Sequence, residues 1–170
     1  MDILIIGIFS YLMGSIPFGL ILTKIFLKKD IRDIGSGNIG ATNVLRTGNK
    51  TIGYITLSLD ILKAVTPVIF VKIYHTDFLY LASLCAFIGH VFPIWLKFKG
   101  GKGVATYVGI LFAINIYFGI IFALSWFIIF AVTKFSSLSS LIASISIPVY
   151  LLVTAPVSYT HLRAHETRSD

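Results

Sequence analysis

Charge is scarce in this chain. Only 12% of its 170 residues are Asp, Glu, Lys or Arg, against about 25% in an ordinary soluble domain. With 56% hydrophobic residues and a mean hydropathy of +0.91, a soluble globular fold is excluded. The apolar residues come in long runs rather than at amphipathic spacing, so the solvent for most of the chain is lipid. Cysteine is almost missing. Cys85 stands alone in an apolar run, which rules out a disulfide framework and a cysteine metal site and leaves a small core residue. Acidic residues are few as well, 7 against 14 Lys and Arg, for a net charge of +7. Nucleic acid is the usual partner of such a balance, but the basic residues here sit between apolar runs. They fit the Lys and Arg excess of cytoplasmic loops and could also serve anionic headgroups or phosphorylated substrates. No basic region precedes the first apolar run, which is too long for a secretory signal and reads as a retained first span.

The runs predict an all-α, polytopic membrane bundle of about six spans in one domain. The first covers residues 3–27, the second 52–74 and the third 78–98. Residues 104–132 are apolar throughout and 29 residues long. They read either as one tilted helix or as two short helices turning near Asn115 to Gly119, since a span needs about 20 residues. A last apolar stretch covers 138–157. Lys24, Lys28, Lys29, Arg32, Arg46 and Lys50 fall on one side and His75-Thr76-Asp77 on the other. Lys97, Lys99 and Lys102 return to the first side. The positive-inside rule makes that side cytoplasmic and places the N-terminus outside.

Two polar loops carry the candidate chemistry. In the first, Asp33 to Arg46, Gly35, Gly37 and Gly40 match G-x-G-x-x-G. A dinucleotide site is excluded by context, because a membrane span and not a strand precedes the glycines. Glycines still let backbone N–H groups approach an anion. Ser36, Asn38, Thr42 and Asn43 add neutral donors, and Arg46 adds a planar cation suited to phosphate. A short helix over 38–47 would add its N-terminal dipole. The alternative is an interfacial loop with turn glycines. The second loop, Lys97-Phe98-Lys99-Gly100-Gly101-Lys102-Gly103, lacks Walker A spacing. Its three glycines around Lys102 at the start of an apolar helix read as a phosphate cradle or as a positive-inside turn. Asp60 and Lys63, at i and i+3, can pair inside a span. His90, before Pro93, reads best as a satisfied structural histidine. Ser136 and Ser137 cap a helix or bind an anion.

Together these blocks resemble the bacterial acyl-phosphate:glycerol-3-phosphate acyltransferases. The resemblance rests on Gly35-Ser36-Gly37-Asn38-Ile39-Gly40-Ala41-Thr42-Asn43-Val44-Leu45-Arg46, on Asp60-Ile61-Leu62-Lys63, on Gly89-His90, and on Gly100 to Thr106, in order over residues 1 to about 155. It implies transfer of an acyl group from acyl-phosphate to the 1-hydroxyl of sn-glycerol-3-phosphate, giving lysophosphatidic acid and phosphate. It implies no acyl-CoA, metal or covalent cofactor. It also implies that Ser36, Arg46 and Lys102 occupy the glycerol-3-phosphate positions. Gly100, Gly101 and Gly103, with Thr42, Ser136 and Ser137, would hold the acyl-phosphate. Gly35, Gly37, Asn38, Gly40 and Asn43 would complete the substrate loop, and Asp60, Lys63 and His90 would support it. The expected location is the bacterial inner membrane, with the site facing the cytoplasm. The partners expected are the two substrates and membrane lipid.

The chain departs from the family pattern at its end. The family's third block, with an Asn and a His after a seventh span, has no counterpart here. Residues 157–170 read as translated adapter or vector sequence and as a non-native or disordered tail after a membrane domain of 1–156. On that reading the chain is weakly active or inactive. A transporter of a phosphorylated or anionic solute is the alternative function. A non-catalytic scaffold would leave both loops unexplained.

Overall fold

A computed structural model describes residues 2–154. The boundary expected at residue 156 and the tail beyond it lie outside these described residues. Every regular element among them is helical. Five segments are long and apolar enough to cross a membrane: Asp2–Leu27, Lys50–Tyr74, Thr76–Leu96, Ile116–Thr133 and Ser136–Thr154. A sixth apolar helix, Val104–Ile114, is shorter. The chain divides into two compact units, Met1–Ile120 and Ile121–Asp170.

In the first unit, α1 (Asp2–Ser15) packs along α5 (Leu79–Val91), and α4 (Lys50–Tyr74) packs along α6 (Val104–Ile114). The α1–α5 pairing depends on glycine. A Cβ on Gly14 would stand 2.1 Å from the Ala86 carbonyl oxygen, and one on Gly89 would stand 2.2 Å from that of Tyr11. Lipid tails are as apolar as leucine, so membrane helices associate by close backbone packing rather than by a hydrophobic drive. Large apolar side chains face outward instead: Ile5, Ile73 and Tyr80 are all more than half exposed. Two buried hydroxyls are satisfied within their own helix. Thr56 donates to the Ile52 carbonyl and Ser83 to that of Leu79, both at 2.8 Å.

The first span, expected over residues 3–27, covers Asp2–Leu27 but is not one continuous helix. It breaks after Ser15 and resumes as α2 (Phe18–Leu22) and a π-helical turn, Thr23–Leu27. Pro17, which has no N–H to donate, stands at the break with a non-helical ψ of 70° and leads into α2. The 104–132 run is two helices, α6 and α7 (Ile116–Thr133), turning at Asn115. The Asn115 side chain accepts from the Tyr117 N–H at 2.9 Å and starts α7. The end of α6 is closed from α4. Lys72 Nζ donates to the Ala113 and Ile114 carbonyls at 2.9 and 2.8 Å, satisfying acceptors that a helix end leaves open.

In the second unit, α7 from residue 121 is joined to α8 (Ser136–Thr154) by Trp126 Nε1, which donates to Ser140 Oγ at 3.1 Å. Ser136 and Ser137 begin α8 and are exposed.

The α1–α5 contact makes a prediction. Gly14→Ala lowers the thermal unfolding midpoint in detergent by an amount worth about 1–3 kcal/mol, the usual cost of overpacking. Gly7→Ala on the same helix meets only Cys85 Sγ, at 3.7 Å. It leaves the midpoint level or raises it, since alanine is the better helix former by up to about 1 kcal/mol. Equal effects from the two substitutions would remove the packing argument.

Candidate functional site

The first loop is folded around one side chain. Asn43 is 2% exposed and lies in α3 (Ala41–Leu45). Its Oδ1 accepts from the Ser36 N–H at 3.0 Å. Its Nδ2 faces three carbonyls, those of Ile31, Ile34 and Asn38, at 3.1, 2.9 and 2.8 Å. The side chain expected to offer substrate a donor is therefore committed to the loop itself. Asn38 is committed too, its Oδ1 accepting from the Gly40 N–H at 2.9 Å. The helix expected over 38–47 shrinks to five residues, too short for its dipole to add much.

Glycine is required here by conformation. Gly35 and Gly37 have φ of +56° and +69°, a region L side chains rarely occupy. A Cβ on Gly35 would also stand 3.0 Å from Arg46 Cδ and 3.3 Å from Nη1. The Arg46 side chain thus lies across the Gly35 backbone beside Ser36. Ser36, Thr42 and Arg46 are all exposed. With Asp33, they are the polar side chains of this loop left facing outward.

Upstream, Asp30 ties the basic stretch together. It pairs with Arg32 at 2.6 Å and Lys24 at 3.3 Å. The Arg32 guanidinium hydrogen-bonded to it holds the Asp30 carboxyl well below the usual carboxylate range, and Lys24 adds to the effect.

The second loop is seated on the end of α5. The Gly100 N–H donates to the Val91 carbonyl at 3.0 Å and the Gly101 N–H to the His90 carbonyl at 3.1 Å. No Cβ fits at either residue: one on Gly100 would stand 2.2 Å from the His90 oxygen, and one on Gly101 would stand 2.1 Å from His90 Nε2. Gly103, at φ +78°, would drive a Cβ into the Phe87 ring. These glycines serve close packing. The N–H groups of Gly100 and Gly101, expected to cradle a phosphate, already have partners. Lys102 stays exposed. Lys97 and Phe98 lead into the loop with φ of 52° and 63°.

One apolar cluster underlies both loops. Leu20, Ile31, Ile39, Val44 and Ile52 form it, and Leu96, from the turn before the second loop, packs against it. Gly19 admits the Ile39 carbonyl where no Cβ could stand, which draws the first loop down onto α2. The sequence reading did not single out Leu96 or Gly19. An apolar residue or a glycine in an apolar run gives no local sign of such a contact.

Beneath the loops lies a buried polar group. Lys63 Nζ is 2.8 Å from Asp60 Oδ1 and donates to the Ile16 carbonyl at 2.6 Å. His90 Nδ1 is 3.8 Å from the same Asp60 oxygen. Thr106, the last residue of the Gly100 to Thr106 block, directs its hydroxyl at the Asp60 carbonyl from 3.4 Å. Ser136 and Ser137 belong to the second unit. Among the described residues no group of three His, Cys, Asp or Glu side chains is placed to hold a metal ion.

A family model described as glycerol-3-phosphate acyltransferase matches residues 4–165. The glycerol-3-phosphate acyltransferase of Pelagibacter ubique (strain HTCC1062) is 69% identical over 153 residues, covering 90% of this chain and 80% of its own. That of Bartonella henselae is 50% identical over 162 residues, covering 92% and 77%. The crystal structure of PlsY (YgiH), an integral membrane glycerol 3-phosphate acyltransferase, in its glycerol 3-phosphate form, superposes with a TM-score of 0.82 at 41% identity. It covers 92% of this chain and 80% of that one. The lysophosphatidic acid form gives 0.80 at 40% identity.

Two outcomes follow for the first loop. Asn43→Asp is nearly isosteric, yet it turns a second acceptor toward three carbonyls. It destabilises by about 1–3 kcal/mol for each carbonyl left without a donor, read as faster amide exchange over residues 31–38. Exchange unchanged from wild type would dismiss the hub. For Asp30 the folded pKa lies below the unfolded value. Its contribution is therefore complete above about pH 4 and is lost as the pH falls through the folded value. Asp30→Asn removes that acid dependence from the exchange of this stretch. A variant with the same acid profile as wild type would refute the assignment.

Proposed function

The chain belongs to the glycerol-3-phosphate acyltransferase family, and from that premise we propose how its two loops divide the work of acylating glycerol-3-phosphate. The protein is an integral membrane acyltransferase that converts glycerol-3-phosphate to a lysophosphatidic acid. Its acyl donor is acyl-phosphate, already activated, so positioning and charge stabilisation are the protein's main contributions. The supporting observation is that both cationic loops rest on one apolar cluster through Leu20, Ile39 and Leu96. Arg46 and Lys102 are thereby presented at the same end of the bundle.

Arg46 offers a planar fork to the phosphate of glycerol-3-phosphate. Ser36, next to it, orients the 1-hydroxyl. That oxygen attacks the acyl carbonyl carbon, the new C–O bond forms as the acyl C–O bond to phosphate breaks, and the hydroxyl proton leaves with the phosphate. Lys102 neutralises charge on the departing phosphate. Thr42 borders the donor from the first loop. Gly103 and the Gly100–Gly101 pair shape the loop that carries Lys102. Asn38, Gly35, Gly37, Gly40 and Asn43 shape the other.

Loop charge orients the bundle. Lys24, Lys28, Lys29, Lys97 and Lys99 accompany the site, and the opposite connection at His75-Thr76-Asp77 is nearly neutral. The site faces the cytoplasm from the inner membrane, where a soluble phosphorylated substrate meets a lipid-borne donor.

Phosphate release from a long-chain acyl-phosphate, by the chain in lipid vesicles, tests this. Release requires glycerol-3-phosphate and falls about 100-fold or more in Ser36→Ala, the scale on which a positioned catalytic group acts. Arg46→Lys raises the KM for glycerol-3-phosphate about tenfold, as expected when a bidentate contact becomes a point contact worth about 1.4 kcal/mol less. Uptake of glycerol-3-phosphate without conversion would favour the transporter instead.

A further inference from the structure

Asp60, Lys63 and His90 are buried together at about 3–4% exposure. Asp60 lies ten residues, about 15 Å, along α4 from Lys50. The roles of Ser36, Arg46 and Lys102 do not use these groups, and their cost in a membrane needs a reason.

The contacts run in one line. The break at Ile16 frees a carbonyl, which holds Lys63. Lys63 holds Asp60. Asp60 faces His90 Nδ1, which is buried without a hydrogen-bond partner. On the far edge of the ring, Nε2, Cε1 and Cδ2 stand 2.1, 2.8 and 3.1 Å from where a Cβ on Gly101 would be. The imidazole is therefore the floor under the Gly101 backbone, and Lys102 is the next residue. A ring shift of under about 1 Å would bring Nδ1 into hydrogen-bond range of Asp60. The ring can thus be braced on one edge while it supports the loop with the other.

We propose that His90, braced by Asp60 and Lys63, is a positioning residue for the phosphate-handling loop, setting the height of Gly101 and with it the place of Lys102. This rests on the reading that the Gly100–Gly103 loop handles the donor's phosphate. It adds a cause for the loop's position outside the loop. The Gly100 and Gly101 hydrogen bonds go to main-chain carbonyls and would survive loss of the imidazole. The ring's contribution is the steric floor and its lateral brace.

The test is amide exchange on the full chain in lipid nanodiscs, with inorganic phosphate as the probe, in wild type, His90→Ala, His90→Asn, Gly101→Ala and the His90→Ala/Gly101→Ala pair. Phosphate slows exchange over residues 100–103 in wild type. In His90→Ala, basal exchange there rises tenfold or more and half-protection needs at least tenfold more phosphate, while α4 is unchanged. His90→Asn keeps a polar atom toward Asp60 and falls between the two. Gly101→Ala forces a Cβ into the ring and loses phosphate protection. Removing the ring in the double variant restores part of it, a coupling that independent sites do not show. Equal phosphate dependence in wild type and His90→Ala would overturn the proposal. So would a double variant no better than Gly101→Ala, or a uniform rise across α4 and α5 in both His90 variants. Absence of phosphate protection in wild type would instead defeat the reading of the loop. The positioning role would then stand or fall on basal exchange alone.

Discussion

A polar group inside a bilayer has to find its partner within the protein, and the pairing of Lys63 with Asp60 shows how far that requirement reaches here. Lys63 has one hand on a carboxylate and the other on the Ile16 carbonyl. Without it, the break in the first span would leave an open acceptor at membrane depth, and Asp60 would be a bare buried charge. Removing one partner of such a pair costs far more than the pair contributes as a whole. The break, the ion pair and the seat of the second loop are therefore one solution to one constraint. Lys72 repeats the device at the other end of α4, where it closes α6.

The glycines of the two loops look alike in sequence and act differently. Gly35 and Gly37 are needed for a left-handed backbone, which turns the chain around Asn43. Gly100 and Gly101 are needed because main chain and an imidazole lie where side chains would stand. Neither pair is mainly a set of free N–H donors. Ser36, Arg46 and Lys102 stay exposed while Asn43, Asn38, Gly100 and Gly101 hold the loops by their own hydrogen bonds. Loops ordered in this way do not have to be ordered by a ligand.

Much of this was legible beforehand. The apolar runs at 52–74 and 78–98 foretold α4 and α5, and the turn near Asn115 was one of two readings of a run too long for one span. The Asp60–Lys63 pair follows from helical spacing alone. The link from Asp60 to His90 crosses between α4 and α5, so no local pattern announces it. Asn43 was misjudged for a related reason. A buried asparagine and a ligand-facing one are the same letter, and only the surrounding carbonyls separate them.

Composition and the lengths of the apolar runs were enough to determine a helical membrane protein, because lipid accepts few other ways of satisfying a backbone. The order and spacing of polar residues in the two loops were enough to point to the family, whose model matches residues 4–165. Which polar groups turn inward and which face outward was decided only by tertiary structure. Leu96 under the first loop, the Ile39 carbonyl over Gly19 and the His90 ring under Gly101 join residues far apart in the chain. Such joins depend on helix packing at close range, to which single residues and their neighbours in sequence contribute no separate signal.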